Sequence, residues 1–155
     1  MQSHGPEDTR ALARTLADVV EPGDVILLAG PLGAGKTEFA KGLAEGLGVK
    51  ETVVSPTFTL TREYHGRLPM LHVDVYRLDH AQEFLDLGLE HDIDADEAVT
   101  VIEWGDVAEA LVPNDHLVVR LSIDPDAGPE FRSIELDGIG TSWSRRVAGL
   151  PRQER

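Results

Sequence analysis

The chain has no cysteine, which excludes disulfides, zinc–thiolate centres and thiol nucleophiles. Aromatic residues make up only 5% of it, and the six histidines, at 4, 65, 72, 80, 91 and 116, show no metal-ligand spacing. Long apolar runs are missing as well. The longest aliphatic block is Val25 to Ala29, far short of the roughly 20 residues a membrane helix needs. The opening MQSHGPEDTR lacks the shape of a signal peptide. A soluble, cytoplasmic protein with no membrane contact is the expectation. Positive charge is scarce: 14 Lys and Arg stand against 28 Asp and Glu, a formal net charge of −14. Proteins that hold RNA or DNA on their own surface show a basic face. Broad nucleic-acid affinity is therefore not expected, and any role in a nucleic-acid pathway would be exercised through another protein.

What is present suits one domain, residues 1–155, with a real core. After the helix-start signals Pro6, Asp8 and Thr9, the spacing of Leu12, Leu16, Val19 and Val20 predicts a helix over 9–20. EPGD breaks the chain, and VILLA (25–29) reads as a strand buried on both faces, the habit of a parallel sheet. Phe39, Leu43, Ala44 and Leu47 mark a second amphipathic helix stopped at Gly48. Strands are expected within 57–64 and 70–76, joined by HGRLP as a hairpin or near-hairpin. HAQEFLDLGLE reads as a short helix and AVTVIEW (98–104) as a buried strand. HLVVRLSI and FRSIELDG flank the turn DPDAGPE as a terminal antiparallel pair, and TSWSRRVAGL closes as a helix. The sum is α/β, with a parallel core and some antiparallel strands.

Between VILLA and the second helix lies Gly30-Pro31-Leu32-Gly33-Ala34-Gly35-Lys36-Thr37. It fits G-x-x-x-x-G-K-[ST], and its context, buried strand before and helix after, is the one this motif requires. Glycines let successive N–H groups turn inward as an anion nest. The helix start adds unpaired N–H groups and about half a positive charge. Lys36 suits the β- and γ-phosphates, and the Thr37 hydroxyl suits Mg²⁺. The bland alternative, an ordinary glycine-rich strand-to-helix turn, is set aside on the full eight-residue match between strand and helix.

Such a site needs an acid at the end of a neighbouring strand. Glu103 ends AVTVIE and is favoured as the metal ligand; Asp74, late in MLHVDVY, is its partner, aligning a metal-bound or attacking water. Ser55 and Thr57 of SPTFT occupy the stretch where a threonine can sense the γ-phosphate. His72 could line the site, though a core or strand-surface histidine is the simpler reading. Asp92, Asp94, Asp96 and Glu103 mimic the spacing of a calcium loop, but Glu97 stands where glycine is required. Segment 79–97 reads instead as a solvated acidic surface.

GPLGAGKTEFAKGLAEGLG, SPTFTLTREY, LHVDVYRL, LGLE and VIEW, in this order, closely resemble the TsaE (YjeE-type) bacterial ATPase family, from about Pro6 to Trp104. That resemblance implies a P-loop NTPase-like fold with a mainly parallel sheet flanked by helices. It also implies a role in making N6-threonylcarbamoyladenosine in tRNAs reading codons that begin with A. The family's ATP hydrolysis is joined to the TsaD–TsaB pair, so ATP and Mg²⁺ are the implied cofactors, and tRNA is met only through the complex. Carried over by motif, Leu32, Gly33, Ala34, Gly35, Lys36 and Thr37 wrap the phosphates, Thr37 and Glu103 hold Mg²⁺, and Asp74 and Thr57 complete the catalytic neighbourhood. PEDT resembles the family's segment that approaches adenine, which makes Glu7 or Thr9 a base contact with Pro6 alongside. Pro31 departs from the family's acidic or amide residue.

Three other classes compete with this one. A small-molecule kinase would carry an arginine-bearing lid after its core helices, whereas Arg62, Arg67 and Arg77 come early. A GTPase would show an N-K-x-D-like signature, which is absent. A non-hydrolysing adaptor is the third, since Trp104 rather than a second acid directly follows Glu103, which also implies slow turnover of the isolated protein.

Overall fold

The computed structural model describes residues 1–56, 61–74, 96–103 and 112–152. Along these the order is β1 (Gln2–Ser3), α1 (Pro6–Ala17), β2 (Val25–Ala29), α2 (Lys36–Gly46), β3 (Thr61–His65), β4 (Pro69–Asp74), β5 (Val99–Glu103), β6 (His116–Ile123), β7 (Arg132–Ile139) and α3 (Thr141–Ala148). The strands form one sheet in the order β1-β7-β6-β2-β5-β4-β3. Its centre is parallel, β2 pairing with β5 and β6, and β5 with β4. Its flanks are antiparallel: β3 on β4, β7 on β6, and β1 on β7. The expected C-terminal pair is β6 and β7, and β6 also lies directly against β2.

Strand alternation sorts the core. Ile26, Leu28, Val99, Val101, Met70, Leu117 and Val119 share one buried cluster with Ala13 and Leu16 of α1 and Phe39 and Leu43 of α2. Leu27, Val73, Ile102 and Val118, the alternate positions, form a second cluster. Burial of β2 from both sides is what its unbroken apolar sequence requires. Each fully buried leucine or phenylalanine here contributes about 1.5–3 kcal/mol.

Helix α1 begins one turn before the apolar spacing suggests, because Pro6 takes a first-turn position where its missing N–H costs nothing. It ends at Ala17, and Val20, though buried, lies in the connection to β2. Burial of that connector extends the apolar spacing beyond the helix. β1 has no counterpart in the sequence reading, since two residues carry no alternation; it exists through pairing with Ser133 and Arg132. The expected helix at HAQEFLDLGLE and the acidic segment up to residue 95 lie outside the described residues, as do Thr57 and Trp104. No helix among the described residues is long and apolar enough to cross a membrane.

Candidate functional site

The glycine-rich loop leaves the C-terminal end of β2 and turns into α2, whose first residue is Lys36. Gly35 precedes the helix at φ 102° and Gly33 lies at φ 80°, left-handed conformations that side chains resist. Ala34 is fully buried and its N–H donates to the Pro31 carbonyl at 3.1 Å. Leu32 projects at the tip, 79% exposed. The loop is thus a curl of main chain opening onto a helix N-terminus, where unpaired N–H groups favour an anion.

Lys36 bends back over this curl. Its Nζ donates to the carbonyls of Gly30 at 2.7 Å and Pro31 at 3.0 Å. Burial pushes its ammonium below the ordinary lysine value, while the carboxylates of Glu103 and Asp74 pull the other way. Thr37 Oγ1 donates to Glu103 Oε1 at 3.0 Å. Glu103 and Asp74 are register partners at the ends of adjacent parallel strands, and both are buried. Ser55 Oγ donates to Asp74 Oδ2 at 3.2 Å. The sheet therefore brings together Lys36, Thr37, Ser55, Asp74 and Glu103, residues from four stretches of sequence.

Beside the loop lies a cavity of about 300 Å³, lined in part by Gly5, Pro6, Thr9, Gly33, Gly35 and Arg132. Thr9 is buried, with its hydroxyl 2.8 Å from that of Ser3. Glu7 is not among the lining residues. Its carboxylate pairs with Arg14 at 2.6 Å and Arg10 at 2.8 Å, and these hydrogen bonds, Arg14's first, hold it below the usual carboxylate range. A larger cavity, about 570 Å³, borders β7 and the end of α3 and includes Arg120, Glu135 and Leu150. None of the motif residues lines it, so chemistry rather than volume selects the site at the loop.

Two further residues at the site carry weak sequence signals. His72 is fully buried, its Nε2 2.5 Å from Glu103 Oε2; the strand period of two, which puts it on Asp74's face, was the available signal. Arg132 donates from Nη2 to the Gly33 carbonyl at 3.0 Å. A contact spanning that much sequence leaves no local signature.

A buried parallel strand, a glycine curl, a Lys-Thr pair opening a helix and an acid on the adjacent strand define a P-loop fold, a class that suggests nucleotide binding. Comparison with known proteins sharpens this. The family model described as "Threonylcarbamoyl adenosine biosynthesis protein TsaE" matches residues 3–131, and the chain belongs to the TsaE family. A Bacillus subtilis protein named tRNA threonylcarbamoyladenosine biosynthesis protein TsaE is 40% identical over 150 residues, covering 96% of this chain and 91% of the relative. The protein of that name from Treponema pallidum is 41% identical over 129 residues, covering 83% and 95%. The crystal structure of Bacillus subtilis YdiB superimposes with a TM-score of 0.77 at 34% identity, covering 96% of this chain and 90% of that one.

Proposed function

We propose that this chain, as one P-loop unit spanning residues 1–155, binds and hydrolyses Mg·ATP and couples that hydrolysis to turnover of a TsaD–TsaB complex in tRNA threonylcarbamoyladenosine synthesis. The observation that carries the reading is the 3.0 Å approach of Thr37 Oγ1 to Glu103 Oε1 beside the glycine curl. A hydroxyl next to a carboxylate is a hard-oxygen donor set, which fits Mg²⁺. Among the described residues no cluster of three or more acids and histidines could cage an ion. Mg²⁺ takes one or two protein oxygens and completes its shell with phosphates and water.

Thr37 and Glu103 would hold the ion, which when bound neutralises charge on the phosphate oxygens. The residues of the chain do the rest. The N–H groups from Leu32 to Thr37 cradle the phosphates. Lys36 exchanges its two carbonyl contacts for phosphate oxygens, which offset the burial that lowers its pKa. Asp74, steadied by Ser55, orients the attacking water, and Thr57 senses the γ-phosphate. Pro6 and Thr9 line the cavity suited to adenine, Thr9 through its methyl because its hydroxyl is bonded to Ser3. Glu7 pairs with Arg10 and Arg14 of its own helix, and these arginines reach Glu38 and Glu45 of α2. A net charge of −14 favours meeting tRNA through partners, in the cytoplasm.

The test is phosphate release measured with and without TsaD and TsaB. Slow turnover alone and clear stimulation by the pair are expected. No stimulation, or equal stimulation by an unrelated protein, refutes the coupling.

A further inference from the structure

We infer that His72 is a positioning residue for the metal-binding carboxylate, an assignment that rests on the function proposed above. Glu103 has two oxygens with two different neighbours. Oε1 accepts from the Thr37 hydroxyl at 3.0 Å, and Oε2 lies 2.5 Å from His72 Nε2. An ionised carboxylate only accepts hydrogen bonds, so the imidazole supplies the N–H. His72 is 0% exposed and Glu103 3%, so this N–H takes the place of water that a strand-end carboxylate would otherwise recruit. The effect is to set the rotation of the carboxyl plane, leaving Oε1 toward Thr37.

The placement follows from the strands. His72 pairs in register with Val101, and Asp74 with Glu103. Side chains two apart on a strand share a face, so His72 reaches Glu103 diagonally from the adjacent strand, at the reach of a long side chain. A purely packing residue at this point would be apolar, like its face neighbour Met70. Instead the ring brings a buried polar atom: Nδ1 has no hydrogen-bond partner among the described residues. Leaving such an atom bare costs free energy, which makes sense if the other nitrogen serves the site. Groups that orient a metal-binding side chain usually change metal affinity about 10- to 100-fold when removed.

The experiment uses the full chain with a non-hydrolysable ATP analogue and Mn²⁺ as the probe, free Mn²⁺ being read by electron paramagnetic resonance. His72→Phe keeps the ring without the donor, His72→Asn is too short to reach Glu103, and His72→Gln restores an N–H near the Nε2 position. His72→Phe and His72→Asn should bind the analogue without metal within about twofold of wild type, yet hold Mn²⁺ about 10- to 100-fold more weakly. His72→Gln should recover most of the loss. If His72→Phe does not fold, the contrast between His72→Asn and His72→Gln decides. Unchanged Mn²⁺ affinity in the folded His72→Phe and His72→Asn variants, or equal weakening of metal-free binding, overturns the inference while leaving the proposed function standing. Failure of the wild type to take up Mn²⁺ with the nucleotide overturns the underlying reading as well.

Discussion

Gly42 lies where α2 crosses α1, and a methyl group there would be 2.3 Å from the Arg10 carbonyl oxygen and 2.6 Å from the Arg10 Cα. Both atoms belong to the backbone of the other helix, so neither can rotate away. Ordinary contact requires the helices to separate by about 1 Å. Gly42→Ala should raise intrinsic helix stability by about 1 kcal/mol, but overpacking costs about 1–3 kcal/mol. With backbone on the far side the upper end applies, leaving a net loss of about 1–2 kcal/mol. For a chain of this size that lowers Tm by about 2–8 °C. The functional effect follows from what the helices carry: α1 brings Pro6 and Thr9 to the cavity, and α2 brings Gly35's successors Lys36 and Thr37. Separation widens the cavity, so ADP should raise the variant's Tm less than it raises that of wild type. Thermal unfolding with and without ADP measures both. A Gly42→Ala protein as stable as wild type would refute the close-approach argument, and one destabilised with a full ADP response would refute the link from helix spacing to the site.

Lys36→Ala should weaken ATP binding about 10- to 100-fold while the fold survives, since hydrogen bonds to charged groups contribute about 1.5–3 kcal/mol; calorimetry with an unaltered titration would remove Lys36 from the phosphate site. Arg146 holds Asp24 through two hydrogen bonds, of 2.6 and 2.9 Å, and its guanidinium lies 3.8 Å from the Trp143 ring centroid. Arg146→Met should cost about 3 kcal/mol in denaturant unfolding by stranding a mostly buried carboxylate, and adding Asp24→Asn should recover part of it; simple additivity would deny the coupling. Asp115 accepts the N–H groups of Ser142 and Trp143 at the start of α3, and these, Ser142's first, hold its carboxyl below the usual range. Its folded pKa being depressed, the stabilisation is present above the ordinary value of about 4 and lost as pH falls through the lower folded value. The stability gap between wild type and Asp115→Ala should shrink below about pH 4, and a gap constant with pH would refute the charge-assisted cap.

The loop from Gly30 to Thr37 was legible because its pattern is local: a strand end, glycines that permit a curl, and a Lys-Thr helix start follow one another along the chain. Glu103 and Asp74 were legible as strand ends, since an apolar run closing on an acid is a local pattern. Their adjacency was not local. It depends on β4 and β5 pairing in a register that sets Asp74 beside Glu103, and pairing is a property of the folded sheet. The same pairing turns His72 from an ordinary strand histidine into the partner of Glu103. Arg132 reaches Gly33 only because β7 closes beside β6 and β6 beside β2. Glu7, which the motif offers with Thr9 as a base contact, pairs in the fold with Arg10 and Arg14 of its own helix, a pairing the motif does not announce. Sequence by itself determined the curl between β2 and α2, because its residues are covalent neighbours. Tertiary structure decided which distant side chains gather at that curl, because strand order and register bring them within hydrogen-bonding distance.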